Sequence, residues 1–210
     1  MHISKEDLNG FDRIKRLNII NSISGIKPAN LIGTVSPKGI TNLAIFSSVV
    51  HLGSNPALIG MITRPEGKNG RHTYDNLIST GFYTINNVTE SMIQRAHYTS
   101  AKFEHELSEF DQCNFEPEYL NKFQSPYVKE STLKIGLTFR ETVPIKANNT
   151  ELIIGEVLDL HIHDAALTEE GYINLERLNT AGISGLNSYY GLSKLSDFPY
   201  ARVSELPRFE

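Results

Sequence analysis

The chain has 210 residues, of which 40% are hydrophobic and 21% are charged, and its formal net charge is −4. These proportions are ordinary for a globular protein, so neither a fibrous structure nor disorder along most of the chain is expected. The slightly acidic balance argues against nucleic-acid binding through a broad basic face. A chain of this length buries about 70% of its unfolded surface, which is enough for a core without disulfides.

The cysteine content and the absence of long apolar runs indicate the compartment. The single cysteine, Cys113, excludes an internal disulfide and a multi-cysteine zinc site, and so sparing a use of cysteine favours a reducing environment. No apolar run approaches the roughly 20 residues that span a bilayer, and the polar segment 1–9 lacks the pattern of a signal peptide. The sequence predicts a cytoplasmic protein whose partners include neither membrane nor nucleic acid.

The first half of the chain reads as short strands separated by turns. Apolar, β-rich runs at 30–36, 40–52 and 57–63 are bounded by turn residues, and this close spacing favours an antiparallel barrel. A short helix is predicted at 73–80, capped by Thr73 and closed by Gly81.

A strand at 82–87 and a helix at 89–98 follow. The polar segment 100–125 predicts a short helix and a long loop, and strands resume at 133–141 and 151–161. Apolar density falls from residue 165 onward, which is typical of an arm that packs on a partner or is partly disordered. The sequence therefore predicts one barrel domain with helical insertions.

Two segments carry candidate binding chemistry. The first, 63–73, leaves a strand, collects Arg64, Lys68, Arg71 and His72, and reaches a helix start at Thr73. Free amides of a first helical turn and a guanidinium suit a phosphate, although a solvated basic loop has the same composition.

The second segment, 41–48, places small and hydroxyl side chains at the end of a strand. Alternation puts Asn42, Ala44, Phe46 and Ser48 on one face and Ser47 on the other. Such residues let a flat ligand approach the backbone, and the alternative is an ordinary half-buried strand that runs into a turn.

Together and in this order, these segments resemble the flavin reductase-like family of FMN-binding split barrels. The resemblance extends from about residue 28 to 163, and further elements match in order and spacing. They are Asn30-Leu31-Ile32-Gly33-Thr34-Val35-Ser36 before a glycine turn, Asn55-Pro56, Arg64, the Arg71 to Asn76 helix start, Gly81-Phe82-Tyr83-Thr84-Ile85-Asn86 and Ile154-Gly155-Glu156-Val157.

The chain departs from the family's pattern at two positions. Many relatives carry Lys-Asp-Thr where this chain has Arg71-His72-Thr73, so the cation and the hydroxyl are kept while His72 replaces an acid. A second proline commonly follows the Asn55-Pro56 pair, where this chain has Ala57, which is a mild structural change.

The resemblance implies a mainly β fold with α insertions, an FMN-binding split β-barrel over 28–164. It would follow an N-terminal extension, 1–27, and precede a C-terminal arm, 165–210, that packs across the partner of a homodimer. FMN would be the cofactor, and NADH or NADPH would pass hydride to flavin N5. The alternative is a non-catalytic flavin-binding protein or electron carrier.

The resemblance also implies roles for individual residues. His97 is the candidate for proton handling and is the predicted catalytic residue. The residues expected to contact the cofactor are Ala44, Phe46, Ser47 and Ser48 around the ring and ribityl chain, Thr63 and Arg64 beside the flavin, Arg71 and Thr73 at the phosphate, and Ser100 and Lys102 in a segment that closes over the site. Asn42 and His72 are also expected to contact the cofactor, with no particular part of it assigned to either.

Two other small motifs are predicted to have no such role. His161 and His163 lie on one strand face beside Asp164, but no further ligand cluster at recognisable spacing accompanies them, so no metal site is expected. The Gly182-Ile183-Ser184-Gly185 segment lacks the strand and helix pattern of a dinucleotide-binding loop.

Overall fold

The computed structural model describes residues 1–65 and 70–208. Its α-helices are α1 (Lys5–Gly10), α2 (Arg13–Ser22), α3 (His72–Thr80), α4 (Ile93–Tyr98) and α5 (Glu109–Gln112), with 3₁₀ turns at Glu90–Met92, Asp164–Ala166 and Val203–Glu205. Within these ranges, no helix is both long and apolar enough to cross a lipid bilayer. The strands are β1 (Lys27–Pro28), β2 (Asn30–Val35), β3 (Thr41–Phe46), β4 (Val49–Ser54), β5 (Ala57–Thr63), β6 (Phe82–Asn87), β7 (Pro117–Glu118), β8 (Tyr127–Val128), β9 (Leu133–Ile145), β10 (Thr150–Ile162), β11 (Ala181–Ser184) and β12 (Ser188–Gly191).

Seven strands form one sheet in the order β3-β2-β6-β9-β10-β5-β4, and every neighbouring pair is antiparallel. β3 and β4 are consecutive in the chain and joined only by Ser47 and Ser48, yet they lie at opposite ends of this order. The sheet must therefore curl until its two edges approach each other, which is the geometry of a split barrel. The predicted mainly β fold with helical insertions is confirmed.

The two faces of the sheet carry separate cores. Leu31 and Ile32 are adjacent on β2 and fully buried, but alternation sends them to opposite faces. Ile32 belongs to the barrel interior, together with Met61, Leu77, Tyr83, Ile85, Leu137 and Ile153. Leu31 belongs to the core beneath α4 and α5, together with Ala29, Leu43, Val88, Met92, Ala96, Phe110, Cys113, Phe115, Val128, Ala181 and Ile183.

The predicted helix at 73–80 is present but begins one residue earlier, and Thr73 is not its cap. The N-cap is Arg71, and no side chain caps the helix. The Thr73 hydroxyl instead accepts a hydrogen bond of 3.1 Å from Asn42 Nδ2. The other end is as predicted: Gly81 has a φ of +78°, and its amide donates to the Leu77 carbonyl.

The strand predicted at 40–52 is wrong as a single element, because the chain breaks at Ser47 and Ser48 into β3 and β4. The break transfers the chain from one edge of the curled sheet to the other. By contrast, β5 and β6 occupy the predicted ranges. β9 and β10 form a longer hairpin than predicted, with register shifts beside Ile154 and Val157.

The segment predicted as an arm from residue 165 divides into two parts. β11 pairs with β1 and β12, and its residues Ala181 and Ile183 are buried in the core beneath α4 and α5. The described residues beyond β12, 192–208, are exposed apart from the half-buried Leu192, and none of their side chains is fully buried. At the other end of the chain, α1 and α2 bury none of their residues.

A glycine on β10 is required by the barrel core. A Cβ added at Gly155 would lie 2.1 Å from the hydroxyl of Tyr83, which is fully buried. We expect Gly155→Ala to lower the free energy of unfolding by about 1–3 kcal/mol, the usual effect of overpacking, measured by urea denaturation.

The control for this substitution is Gly10→Ala, because nothing lies within 4 Å of a Cβ at Gly10. The double variant with Tyr83→Phe, which lacks the nearest atom, should recover part of the loss. An unchanged urea midpoint in Gly155→Ala would contradict the close contact.

Candidate functional site

A cavity of about 680 Å³ opens where β3 leads into β4, at the split of the barrel. Four segments of the described chain line it: the β3–β4 connection, the end of β5, the start of α3, and the loop that follows α4. Its volume is in the range of sites for small organic ligands, roughly 300–1,000 Å³. Further lining comes from Glu109 and from Ile183, Leu186 and Asn187 around β11.

The wall from β3 is fixed to the start of α3 by hydrogen bonds between buried side chains. Asn42 Nδ2 donates to Thr73 Oγ1 at 3.1 Å and to Thr34 Oγ1 at 3.3 Å. Asn76 Nδ2 donates to the same Thr34 oxygen at 3.2 Å. The segment that continues to Ala44 and Phe46 is therefore held in register with the first turn of the helix.

Arg71 supplies a cation at the start of α3. Its guanidinium forms an ion pair with Glu151 and lies over the ring of Tyr74, 3.7 Å from the ring centroid. Partial burial opposes the charge, but the hydrogen bond and the charge of Glu151 raise the pKa of Arg71 above its usual value. The guanidinium is thus held in one place and remains charged.

The first turn of α3 offers backbone donors beside this cation. Asp75 N donates to the Arg71 carbonyl, so the preceding amides of the turn have no partner within the helix, and no side chain caps them. Both His72 and Thr73 line the cavity. The helix dipole and these amides favour an anion at this end.

The loop after α4 forms the opposite rim. Ser100 and Lys102 are exposed and line the cavity, and Ser100 Oγ donates to the His97 carbonyl at 2.7 Å. The half-buried His97 itself is not among the lining residues. Its Nδ1 lies 3.2 Å from the hydroxyl of Tyr189 on β12, so its catalytic role stays a prediction.

All of the residues predicted to contact the cofactor border this one cavity. They are Asn42, Ala44, Phe46, Ser47, Ser48, Thr63, Arg64, Arg71, His72, Thr73, Ser100 and Lys102. Lys68, an alternative phosphate contact in the same basic segment, lies outside the described residues. The structure thus brings together side chains from parts of the chain up to 60 positions apart.

Sequence reasoning missed Glu109, a buried carboxyl in the cavity wall. Its Oε2 accepts a hydrogen bond of 3.0 Å from Leu43 N, and the preceding residue, Ser108, shares a hydrogen bond of 2.7 Å with the Thr41 hydroxyl. Together they cover the free edge of β3. The contact joins positions 66 residues apart, and the only local signal is an acid directly before the buried Phe110.

The histidines near the end of β10 have a different environment. His161 Nε2 lies 2.9 Å from Asp159 Oδ2, which also accepts from the Tyr127 hydroxyl at 3.1 Å. Within the part of the chain that the structure describes, no group of three or more His, Cys, Asp or Glu side chains is arranged to hold a metal ion.

A split barrel with a cavity at its open edge, apolar on one wall and cationic on another, defines a class of barrels that bind aromatic anionic cofactors. Within this class the chain belongs to the flavin reductase-like family, because the model of the flavin reductase like domain matches residues 26–179. Membership of this family implies that the chain binds a flavin.

Solved structures agree with this assignment. A candidate flavin reductase with a split barrel domain from Shewanella frigidimarina NCIMB 400 is 46% identical, with a TM-score of 0.91 over 96% of this chain and 100% of that one. Component B of nitrilotriacetate monooxygenase from Bacillus cereus shares the fold at 20% identity, with a TM-score of 0.82 over 94% of this chain and 98% of that one. Flavoredoxin of Desulfovibrio vulgaris (Miyazaki F) shares it at 18% identity, with a TM-score of 0.71 over 84% and 92%.

The donor set of the cavity fits a flavin that carries phosphate. Arg71 and the uncapped first turn of α3 suit a phosphate, whereas Ala44 and Phe46 offer an apolar surface for a planar ring. Ser47 and Ser48 bring hydroxyl groups to the same wall, and Thr63 brings another from the end of β5. The chemistry of the residues is therefore that of a site with one aromatic and one anionic end.

Proposed function

We propose that the protein is an FMN-dependent oxidoreductase that accepts hydride from NADH or NADPH, as flavin reductases do. The observation that carries the proposal is the joint position of the cationic start of α3 and the apolar β3–β4 wall in one cavity. Either feature alone is common on protein surfaces. Their combination selects for a ligand that is planar at one end and anionic at the other.

Binding of FMN is assigned to residues with distinct tasks. Arg71 donates to the phosphate from a position held by Tyr74 and Glu151, while the amides of the first turn of α3 complete the anion site. The small Ala44 lets the ring approach the β3 backbone, and Ser47 and Ser48 donate to its polar edge. Because these groups are preorganised, little ordering accompanies binding.

The flavin, when bound, supplies the hydride acceptor. The protein therefore has to orient the two reactants and to stabilise the negative charge of the flavin with its cations and hydrogen-bond donors. Ser100 and Lys102 on the rim restrict the open side of the cavity. His97 is proposed to act on a proton near the ring from the turn that also carries Ser100, with its orientation set by Tyr189.

The proposal is tested by anaerobic addition of NADH or NADPH to the FMN-loaded protein. Reduction by a nicotinamide supports the oxidoreductase. The second candidate, an electron carrier, has support from the fold shared with flavoredoxin. It would be favoured by a bound flavin that dithionite reduces and neither nicotinamide does. The cytoplasmic location stays a prediction.

We further propose that the protein is a homodimer in which the C-terminal segment 192–208 packs on the partner. Leu195, Phe198, Tyr200, Val203 and Leu206 in this segment are between 69% and 97% exposed in one chain. A run of large apolar side chains at this exposure is typical of a segment that is covered by another molecule.

We expect light scattering to give the mass of a dimer at micromolar concentration. Truncation after Gly191, where β12 ends, should shift the mass toward the monomer while the barrel remains folded, as judged by thermal denaturation. A monomeric full-length protein that still binds FMN would contradict the proposed dimer.

A further inference from the structure

The assignment of FMN to the cavity leaves one buried charged group of its wall without a role. Glu109 is 5% exposed, lines the cavity, and uses one oxygen to accept the hydrogen bond from Leu43 N. That hydrogen bond alone does not require a carboxylate, because an amide oxygen accepts equally well. The negative charge therefore has to be explained by what else faces it.

Burial has the largest effect on Glu109 and raises the pKa of its carboxyl. Hydrogen bonds from the backbone amides of Leu43 and of Glu109 itself lower this pKa, and His72 at the start of α3 lowers it to a smaller extent. The ring of His105 contacts His72 edge-on, with ring centroids 4.9 Å apart. On its own helix, Glu109 faces Cys113, and burial together with this charge raises the pKa of the thiol.

The other charged groups around the site are occupied or exposed. Arg71 is paired with Glu151, and Asp75 is exposed on the outer side of α3. Arg64 at the end of β5 and Lys102 on the rim line the cavity but are exposed. Among the described residues, Glu109 and His72 are thus the carboxyl and the imidazole of the inner wall. They border the same cavity as the amides assigned to the phosphate.

We propose that Glu109 couples phosphate binding in this cavity to proton uptake, so that the dianionic ligand binds with the Glu109 carboxyl protonated and His72 facing it. The proposal rests on the proposed function, since it takes the start of α3 as the phosphate end. Ionised Glu109 repels the dianion within a partly desolvated cavity, whereas the protonated acid does not. Glu109 thereby determines which charge state of the site accepts FMN.

The consequence is a pH dependence that only a phosphorylated ligand shows. FMN affinity rises as the pH falls through the pKa of Glu109, because a proton relieves the repulsion. Riboflavin lacks the phosphate, so its affinity changes little over the same range. The phosphate itself titrates near pH 6, and comparison of one ligand across variants removes that contribution.

The experiment measures the dissociation constants of FMN and riboflavin from pH 5.5 to 8.5, in the unchanged protein and in Glu109→Gln. The amide keeps an acceptor for Leu43 N and removes the charge. We expect Glu109→Gln to bind FMN about tenfold more tightly at high pH, equivalent to one pKa unit, with a flatter profile and unchanged riboflavin affinity. Glu106→Gln, which removes an exposed carboxylate from the same segment, is the matched control and should behave like the unchanged protein.

A second measurement keeps the proposal testable if Glu109→Gln does not fold. The carboxyl carbon chemical shift of Glu109 is followed against pH in the unchanged protein, without ligand, with riboflavin and with FMN. We expect FMN to move the midpoint of this titration to higher pH than riboflavin does, because the dianion favours the protonated acid. A purely structural role of Glu109 would give the same midpoint with both flavins.

The outcomes separate the two proposals. If FMN binds more tightly than riboflavin but its profile is the same in the unchanged protein and in Glu109→Gln, or if both flavins leave Glu109 with the same titration midpoint, the proton coupling is overturned while the FMN site stands. If FMN and riboflavin bind equally at every pH in the unchanged protein, the phosphate site fails, and the coupling fails with it.

Discussion

Replacing Arg71 with alanine is expected to weaken FMN binding by about 1.5–3 kcal/mol, or roughly 10- to 150-fold, while riboflavin binding stays unchanged. The guanidinium stacks on Tyr74 and pairs with Glu151 at the start of α3, so it is in place before the ligand arrives. Loss of a charge-assisted contact affects only the ligand that carries the phosphate. Fluorescence titration with both flavins measures the difference.

Glu151→Gln is the complementary variant, and it should have the opposite effect. The glutamine oxygen still accepts from Arg71 and keeps the guanidinium in place, but its side chain carries no charge that competes with the phosphate. The variant is therefore expected to bind FMN several-fold more tightly, again without effect on riboflavin. If Arg71→Ala leaves the FMN dissociation constant unchanged, the phosphate lies elsewhere in the cavity, for example beside Lys102.

Anaerobic NADH or NADPH is expected to remove the visible absorbance of the bound FMN completely, and free flavin should then allow repeated turnover. The sequence carries no dinucleotide fingerprint, so the nicotinamide has to bind over the flavin at the open side of the cavity. Few contacts to the adenosine half are then available, and discrimination between NADH and NADPH should be modest. Lys102→Ala would reduce any preference for NADPH if that lysine meets the 2′-phosphate.

Substitution of His97 tests whether this residue acts in hydride transfer rather than in FMN binding. We expect His97→Ala to lower turnover and leave the FMN dissociation constant unchanged, and a direct proton role would account for about 100-fold or more. Tyr189→Phe removes the hydroxyl 3.2 Å from the imidazole and should have a smaller effect. Unchanged turnover in His97→Ala would assign this residue to the contact with Tyr189 alone.

Local patterns predicted the elements whose ends are marked by strong turn residues. β5 and β6 match their predicted ranges because proline, glycine and polar turns delimit them, and Gly81 ends α3 where a left-handed residue is needed. The cofactor residues were found through the order of several segments along the chain. None of these segments is distinctive when taken alone.

Features that depend on distant partners could not be predicted in this way. Thr73 has the sequence of an N-cap, but Asn42, 31 positions away, binds its hydroxyl, and the helix therefore begins at His72. The break between β3 and β4 lies in a continuous β-rich run, because curling of the whole sheet decides it. Glu109 lies in a polar stretch, and its burial depends on a backbone amide 66 positions away.

The connection through Ser47 and Ser48 also limits how the length of this chain can change during evolution. An added residue there would shift β3 or β4 by one position and turn its alternate side chains to the opposite face, which would remove the wall of the cavity. The turn between β9 and β10, at 146–149, is exposed at all four residues and lies beyond the last strand pair. Insertions and deletions among relatives are therefore expected to accumulate at that turn and to be rare at the split, even where the sequence of the split has diverged.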